Sequence, residues 1–254
     1  MKAIILAAGQ GTRLRPLTDD IPKCMVALDG VPLLHRQAFV LQQAGIQDIL
    51  VLTGYRADKV TAPGIRTRHN PGYAEMNMVG TLFSAGEELS GDVLIVYGDI
   101  VFNSDVIRSV CDTPGDIVVG IDSAWQSLWS LRMEDPLSDA ETLKLNADGS
   151  IRELGKKPNS LDDIEGQYVG LIKISAAALP RVVRFYNSLD RAKRYEGRDF
   201  ANMFMTAFLT EIMAHLCPIQ AALFAGGWCE VDSVEDLEAY QQAQLPVLAS
   251  SRPR

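Results

Sequence analysis

The chain has few of the residues that usually carry metal–thiolate or histidine chemistry. Its four cysteines form no Cys-x-x-Cys pair, its three histidines are isolated, and no Ser-His-Asp or Cys-His arrangement is recognisable. This pattern gives no sign of a zinc site or a disulfide framework, so reduced thiols are expected. The cysteines and histidines are Cys24, Cys111, Cys217, Cys229, His35, His69 and His215.

Positive charge and long apolar runs are also scarce. The 24 Lys and Arg residues face 32 Asp and Glu residues, a net charge of −8, and such a field repels nucleic acids. The early apolar run from Ala3 to Ala8 is far shorter than the roughly 18 residues of a membrane helix. Because Gly9, Arg13 and Arg15 follow at once, this start does not resemble a signal peptide. We therefore predict a cytoplasmic protein with no nucleic-acid or membrane partner.

The 254 residues, 47% of them apolar, suffice for one domain with a real core. We predict a domain over residues 1–245 and a flexible tail over 246–254. Apolar, β-branched runs alternate with helix-period segments, which is typical of an α/β fold with a mostly parallel sheet. The predicted strands are 2–7, 48–53, 93–97, 116–121, 168–174 and 219–224. The predicted helices are 33–44, 79–89, 104–111, 176–188 and 200–215.

This alternation stops between residues 123 and 167. Asp148-Gly149 predicts a hairpin turn between strands 142–145 and 151–154, and such an excursion often forms a flap that faces a substrate. Ser233 and Asp236 form a capping-box pattern, which predicts a last helix that starts at Ser233.

A glycine loop follows the first predicted strand, in the sequence Leu6-Ala7-Ala8-Gly9-Gln10-Gly11-Thr12-Arg13. A bend at small residues leaves backbone N–H groups free to face an anion. Gly9 and Gly11 permit close approach or a positive φ, and the planar guanidinium of Arg13 can grip a polyphosphate. The loop is therefore predicted to bind phosphate.

The loop has three other interpretations. A dinucleotide loop fits badly, because Leu14 stands where a glycine or alanine is expected and Thr53 where an acid is expected. A P-loop requires Gly-Lys-Ser/Thr, which does not occur. A purely structural tight turn stays open as an alternative.

The run from Ala7 to Thr18, with Pro22-Lys23, resembles the signature of the sugar-phosphate and choline-phosphate nucleotidyltransferases. It is long and ordered, and hence specific. The resemblance implies a Rossmann-like three-layer α/β/α nucleotidyltransferase fold. Further matches are Gly45-Ile46, Gly54-Tyr55, Asn77-Met78-Val79, Tyr97-Gly98-Asp99 and Glu230-Val231-Asp232-Ser233.

Nucleotidyl transfer requires a neutralised triphosphate, usually through Mg²⁺ held by carboxylates. Asp99 ends a buried strand, where ligands of open α/β sheets collect, and Gly98 before it leaves room for a nucleotide. The resemblance implies Asp99 and Asp232 as the metal ligands. The alternatives are a helix-capping turn aspartate for Asp99 and an acid favoured by the helix dipole for Asp232.

The resemblance also implies that Lys23 is the catalytic lysine at the α-phosphate and that Arg13 contacts the β- and γ-phosphates. The alternative for Lys23 is a solvated surface lysine. An acceptor oxygen would attack the α-phosphorus in line and expel pyrophosphate. Because that oxygen is already anionic, neither a strong base nor a covalent intermediate is needed.

The base site is predicted from the same resemblance. The Asn-Met-Val run at Asn77 is similar to that of the choline-phosphate cytidylyltransferase branch, which implies CTP, and the Asn77 amide can read a base edge. The alternative is that Asn77 caps the next helix. The complete predicted nucleotide-binding set is Leu6, Ala7, Ala8, Gly9, Gly11, Thr12, Arg13, Lys23, Gly54, Tyr55, Asn77 and Gly98.

The acceptor side is predicted from stretches that resemble the phosphoglutamine cytidylyltransferases, such as 141–144, 155–157, 163–168 and 228–230. They imply that Arg132, Lys156 and Lys157 contact the acceptor phosphate and that Glu165 receives an ammonium group. Exposed charges on a flap are the alternative. Trp125 and Trp129 would share a helix face, and aromatic faces can bind a quaternary ammonium. Core packing is the preferred interpretation of this pair. The complete predicted acceptor set is Arg132, Lys156, Lys157, Glu165, Trp228 and Glu230.

The sequence therefore predicts a Mg²⁺-dependent cytidylyltransferase. It would transfer CMP from CTP to a phosphocholine-, phosphoglutamine- or aminoethylphosphonate-like acceptor in cell-surface biosynthesis. The alternatives are a sugar-1-phosphate nucleotidyltransferase that uses another NTP, a nucleotide-sensing module without turnover, and a nicotinamide-dependent oxidoreductase. The acceptor, the number of metal ions and the oligomeric state, monomer or homodimer, stay open.

Overall fold

The computed structural model describes residues 1–253, in which strands and helices alternate along the chain. The strands are β1 (Lys2–Ala7), β2 (Ala27–Leu28), β3 (Val31–Pro32), β4 (Asp48–Thr53), β5 (Ile65–His69), β6 (Val93–Tyr97), β7 (Ile100–Phe102), β8 (Ile117–Asp122), β9 (Leu143–Leu145), β10 (Ile151–Leu154), β11 (Gln167–Ile174), β12 (Gln220–Phe224) and β13 (Trp228–Glu230). The α-helices are α1 (Leu33–Gln43), α2 (Met78–Phe83), α3 (Ser104–Asp112), α4 (Trp125–Arg132), α5 (Leu179–Ser188), α6 (Met205–His215), α7 (Val234–Ala243) and α8 (Pro246–Ser250).

The central sheet has seven strands in the order β12-β8-β11-β6-β1-β4-β5. All neighbouring pairs are parallel except those of β11, which runs antiparallel to both β6 and β8. Ala3, Ile4 and Ile5 of the central strand β1 have no exposed surface, and this burial explains its continuous apolar sequence. The predicted mostly parallel α/β sheet is thus confirmed.

Smaller strand pairs lie outside this sheet. β9 and β10 form the predicted antiparallel hairpin. β7 pairs with β13 across a large sequence separation, with Ile100 opposite Glu230 and Phe102 opposite Trp228. Because β7 follows closely after β6, the β7–β13 pair places the chain near residue 230 beside the end of β6.

The helix predicted over 200–215 is wrong in its first turn, because α6 begins only at Met205. Asp199 accepts a hydrogen bond from the backbone N–H of Asn202, and a side chain that bonds the nearby backbone in this way competes with a helix. Phe204 consequently has extended backbone and is 38% exposed. The helix predicted over 79–89 likewise ends at Phe83, before a 3₁₀ turn over Gly86–Glu88.

Residues 246–251, predicted as part of a flexible tail, are packed instead. Helix α8 buries Val247 and Leu248. The guanidinium of Arg36, which has no exposed surface, donates to the Leu248 carbonyl at 2.6 Å and to the Ser251 hydroxyl at 3.0 Å. A buried guanidinium needs acceptors, and this segment supplies two of them.

All four cysteines, each within the described part of the chain, are free thiols. Across residues 1–253, no helix has the length and apolar character needed to cross a bilayer.

Candidate functional site

Three carboxylates meet at the carboxyl end of β6. Asp99 directly follows that strand, while Glu230 and Asp232 are brought in by β13, and one oxygen of each lies within 4.8 Å of the others. The backbone N–H of Val231 donates to the Asp99 carbonyl at 3.0 Å, which fixes the two segments to each other. The structure thus brings together the distant acids Asp99 and Asp232.

Glu230 was predicted as an acceptor contact, and its place in this carboxylate group was missed. A signal for it is present in the sequence. Glu230 and Asp232 are two residues apart in an extended segment, and alternate residues of an extended chain point to the same side.

Lys23 lies between two of these carboxylates. Its ammonium nitrogen is 2.8 Å from Oδ2 of Asp99 and 2.7 Å from Oδ1 of Asp232. Burial alone would lower the Lys23 pKa, but the charges of Asp99 and Asp232 raise it above its ordinary value. Arg13 also donates to Oδ1 of Asp232, at 2.7 Å, and its side chain is 67% exposed. Lys23 is therefore a protonated, partnered lysine, and Arg13 remains open to the solvent side.

Arg132 is buried against the carboxylates and lines neither of the two cavities described below. Its side chain is 1% exposed, and its nitrogens lie 3.2 Å from Glu230, 2.9 Å from Asp232 and 3.1 Å from Asp236. Asp236 in turn accepts from the backbone N–H of Asp232 at 2.7 Å, and it also forms the predicted capping box with Ser233. Arg132, which was predicted to contact the acceptor phosphate, thus pairs with carboxylates in this structure.

The pKa values of Glu230 and Asp232 are shifted in opposite directions by their surroundings. Burial, with repulsion from Asp232 and Asp99, raises the Glu230 pKa, although Arg132 and Lys23 act against the shift. Burial would also raise the pKa of Asp232, but the adjacent lysine and arginines hold it below its usual range. Asp232 is thus held as an anion at neutral pH.

The glycine loop packs directly on Lys23. Gly11 has φ of +75°, and a Cβ there would lie 2.8 Å from Cβ of Lys23. Thr18 donates from its hydroxyl to the Gly11 carbonyl at 2.8 Å, which fixes the turn. Thr12 begins a 3₁₀ turn that continues to Leu14. Only glycine suits the position of Gly11, since L-residues avoid this conformation.

Gly98 and Gly54 allow close packing of the backbone. A Cβ at Gly98 would lie 2.6 Å from the Leu6 carbonyl oxygen, so a side chain at this position would collide with β1. A Cβ at Gly54 would lie 2.6 Å from the Ala8 carbonyl oxygen. Tyr55 donates its backbone N–H to that same oxygen at 3.0 Å and its hydroxyl to Asp19.

A first cavity of about 240 Å³ opens beside the glycine loop. Asn77 caps α2 by accepting from the Met78 N–H at 2.7 Å, so the capping alternative is present, and the same residue lines the cavity. Thr12, Arg13, Gly54 and Tyr55 are outside this lining. The lining residues are Leu6, Ala7, Ala8, Gly9, Gly11, Lys23, Cys24, Met76, Asn77, Met78, Thr81, Gly98 and Asp99.

A second cavity of about 350 Å³ opens on the other side of the carboxylates. It contains the predicted residues Arg13, Trp228 and Glu230, together with Asp232. Most of its other lining residues were not predicted from the sequence, because they come from α4, β11 and the start of α6. These missed residues are Met78, Tyr97, Trp129, Asp139, Glu141, Gln167, Tyr168, Val169, Gly170, Phe204, Met205 and Thr206.

The hairpin charges lie outside both cavities. Lys156 pairs with Glu153 at 2.8 Å, and Lys157 donates to the Ser138 carbonyl at 2.8 Å. Glu165 accepts from the Leu145 N–H at 2.8 Å. Their contacts in this structure are thus local ones, within the hairpin region.

The tryptophans of α4 pack as expected for a core. Trp125 and Trp129 are 2% and 3% exposed, and their rings meet edge to face at 5.8 Å. Trp129 in addition lines the second cavity.

The mostly parallel sheet, its glycine loop and the carboxylates at the same edge define a nucleotidyltransferase of the Rossmann-like α/β class. A family model for the MobA-like NTP transferase domain matches residues 3–163. The chain belongs to this family. The matched residues include Lys23 and Asp99 and end before Glu230 and Asp232.

Known proteins similar to this chain fit the same class. The CTP:phosphoglutamine cytidylyltransferase of Campylobacter jejuni is 41% identical over 94% of this chain and 98% of its own length. The choline-phosphate cytidylyltransferase of Streptococcus pneumoniae is 38% identical over 43% of this chain and 51% of its own. A solved structure of the inositol-1-phosphate CTP transferase from T. maritima superposes with a TM-score of 0.74 at 19% identity, covering 98% of this chain and 95% of its own, and supports the fold.

Proposed function

We propose that this chain transfers CMP from CTP to a small phosphorylated acceptor and releases pyrophosphate. One observation carries the proposal: Lys23 bridges Asp99, which lines the first cavity, and Asp232, which lines the second. Two cavities that meet at one charged group suit a reaction that joins a nucleotide to an acceptor. The phosphoglutamine and choline-phosphate relatives support the choice of CTP and of a phosphorylated acceptor.

The carboxylate group fits a hard divalent cation, and we propose Mg²⁺. Its donors are oxygens of Asp99, Glu230 and Asp232, the ligand type that Mg²⁺ prefers. Oδ1 of Asp99 is buried and has no hydrogen-bond partner within residues 1–253, and a buried polar atom is normally satisfied. When bound, the cation would neutralise phosphate charge.

The protein's own groups would supply position and charge. The glycine loop would offer backbone N–H groups to the triphosphate, Lys23 would stabilise charge at the α-phosphate, and Arg13 would hold the departing pyrophosphate. The acceptor phosphate is already anionic, so no general base is required. Catalysis would then rest on orientation and preorganised electrostatics.

The two cavities divide the substrates between them. The first cavity would hold the nucleotide, with Nδ2 of Asn77 available for the base because Oδ1 is used in the helix cap. The second cavity would hold the acceptor, since Asp232 in its wall is paired with Lys23 of the first cavity. We take phosphoglutamine as the first acceptor to test and the cytoplasm as the location.

Pyrophosphate release tests the proposal. The purified protein is assayed with Mg²⁺, each of the four NTPs and a panel of phosphoglutamine, phosphocholine and 2-aminoethylphosphonate. Turnover with CTP, lost in Asp99→Asn and in Asp232→Asn but kept in the exposed-surface control Asp105→Asn, is the expected result. Nucleotide binding without turnover for any acceptor would favour the sensing module, and turnover with another NTP and a sugar 1-phosphate would favour that alternative.

A further inference from the structure

The second cavity contains two carboxylates that the metal group does not use. Asp139 and Glu141 line it together with the rings of Tyr97, Tyr168 and Trp129. The charges that act on Glu141 are the acids Glu196 and Asp139. A half-buried carboxylate near two other acids, with no ion pair of its own among the described residues, lacks the compensation that such a group normally has.

Two further polar atoms of this cavity wall lack a partner. The indole nitrogen of Trp129 and the hydroxyl of Tyr168 are buried, and neither has a hydrogen-bond partner in the described part of the chain. Trp129 is 3% exposed, and both Trp129 and Tyr168 line the cavity. Buried polar groups are normally paired. A bound molecule would supply the hydrogen-bond partners that these two groups lack.

We propose that Glu141, with Asp139 beside it, selects acceptors that carry an ammonium group. The proposal rests on the function proposed above and adds the group that recognises the acceptor. Carboxylates and aromatic faces both attract an alkylammonium, and they do so more strongly in a cavity than in water. The family resemblance implies this role for Glu165, which lies outside the cavity.

Matched acceptor pairs test this selectivity. 2-Aminoethylphosphonate is compared with propylphosphonate, and phosphocholine with 3,3-dimethylbutyl phosphate, so that each pair differs in its positive charge. We expect the wild type to favour the cationic member in kcat/KM by about tenfold or more, as carboxylate attraction and cation–π contact in a desolvated cavity allow. Glu141→Gln should remove that preference, because kcat/KM for the cationic member should fall by about tenfold or more. Glu134→Gln, an exposed carboxylate outside both cavities, should keep it.

Binding provides a second readout that does not need turnover. Trp129 and Trp228 line the cavity, so ligand titrations can be followed by tryptophan fluorescence in the presence of CTP and Mg²⁺. Weaker binding of the cationic member alone in Glu141→Gln supports the inference even when no pyrophosphate is released. Equal binding of both members by the wild type, or loss of the preference in Glu165→Gln and not in Glu141→Gln, overturns it.

Discussion

The ammonium of Lys23 lies 2.7 Å from Oδ1 of Asp232, in the same group of carboxylates that fits a divalent cation. It also reaches Asp99, at 2.8 Å. Lys23 therefore acts as an internal counter-ion, and its raised pKa keeps it charged at working pH. An ammonium in this position competes with a metal ion for the same oxygens.

Replacing Lys23 by methionine should consequently separate metal binding from catalysis. We expect Lys23→Met to bind Mn²⁺ more tightly than the wild type in the absence of nucleotide, because Asp99 and Asp232 lose the ammonium that they share. Pyrophosphate release should fall by about 10²–10³, the usual loss when one charge-stabilising group is removed. Mn²⁺ titration calorimetry and the release assay measure the two effects, with Lys59→Met as an exposed control. Weaker Mn²⁺ binding in Lys23→Met would refute the competition.

Arg132 should prove to be a positioning residue. Arg132→Met would leave Glu230, Asp232 and Asp236 without their shared guanidinium, and breaking a buried ion network of this kind costs about 3–5 kcal/mol in the free energy of unfolding. Arg132→Lys should recover only part of this, since an ammonium cannot hold three carboxylates as the planar fork does. Urea unfolding measures the change, and the exposed Arg152→Met serves as control. An unchanged stability with a raised acceptor KM would instead support the direct phosphate contact predicted from the sequence.

Two glycines of the same loop should respond differently to alanine. Gly11→Ala places a side chain at φ of +75° and against Lys23, whereas a Cβ at Gly9 meets nothing within 4 Å. We expect Gly11→Ala to lower the free energy of unfolding by about 1–2 kcal/mol or more, and Gly9→Ala to leave it nearly unchanged. Thermal unfolding of the two variants without nucleotide checks this difference. Equal stability would mean that the loop adjusts freely.

The fold was predictable because its main strands are buried on both faces. β1, β4 and β6 are continuous apolar runs, and their bounds agree with the prediction. The edge strand β5, Ile65–His69, was missed because four of its five residues are exposed, so no apolar run marks it. Helix α4 was only suggested by the spacing of Trp125 and Trp129.

Local sequence patterns predicted the site only where residues follow strands, and the family resemblance supplied Lys23 and Asp232. Asp99 and the glycine loop come directly after β6 and β1, and strand ends of a parallel sheet share one edge. The meeting of Asp99 with Glu230 depends on the long-range β7–β13 pair, which no local pattern announces. The walls of the second cavity likewise come from eight separate segments, so Glu141 could not be assigned from local spacing.

Binding of cationic acceptors should depend on the ionisation of Glu141. Burial, then repulsion from Glu196 and Asp139, raises its pKa to about 7. The carboxylate is therefore protonated below that pH and charged above it, so KM for 2-aminoethylphosphonate should fall as the pH rises from 6 to 8. Glu141→Gln should show a high KM with no such step, which separates this effect from ionisation of the phosphonate itself. A step of equal size in both proteins would contradict the assignment.

Because the pKa of Glu141 is raised, we expect Glu141→Gln to stabilise the protein at high pH. A carboxyl with a folded-state pKa raised from 4.5 to about 7 binds more protons in the folded than in the unfolded protein between those values. Stability is therefore lost as the pH rises through that window, and glutamine avoids the loss. The melting temperature of Glu141→Gln should exceed that of the wild type at pH 8 and match it near pH 4. A lower melting temperature at pH 8 would show that the carboxylate has a partner in the fold.

The C-terminal segment should stabilise the domain through one hydroxyl. Ser251 has no exposed surface, accepts from Arg36 at 3.0 Å and donates to the Val247 carbonyl at 2.6 Å. Ser251→Ala leaves a buried guanidinium short of an acceptor and should cost about 1–3 kcal/mol in urea unfolding. Ser250→Ala, at an exposed neighbour, is the matched control and should change little. Removal of residues 246–254 should cost more than Ser251→Ala, because Leu248 and its carbonyl are lost as well, and an unaffected stability would restore the interpretation of this segment as a flexible tail.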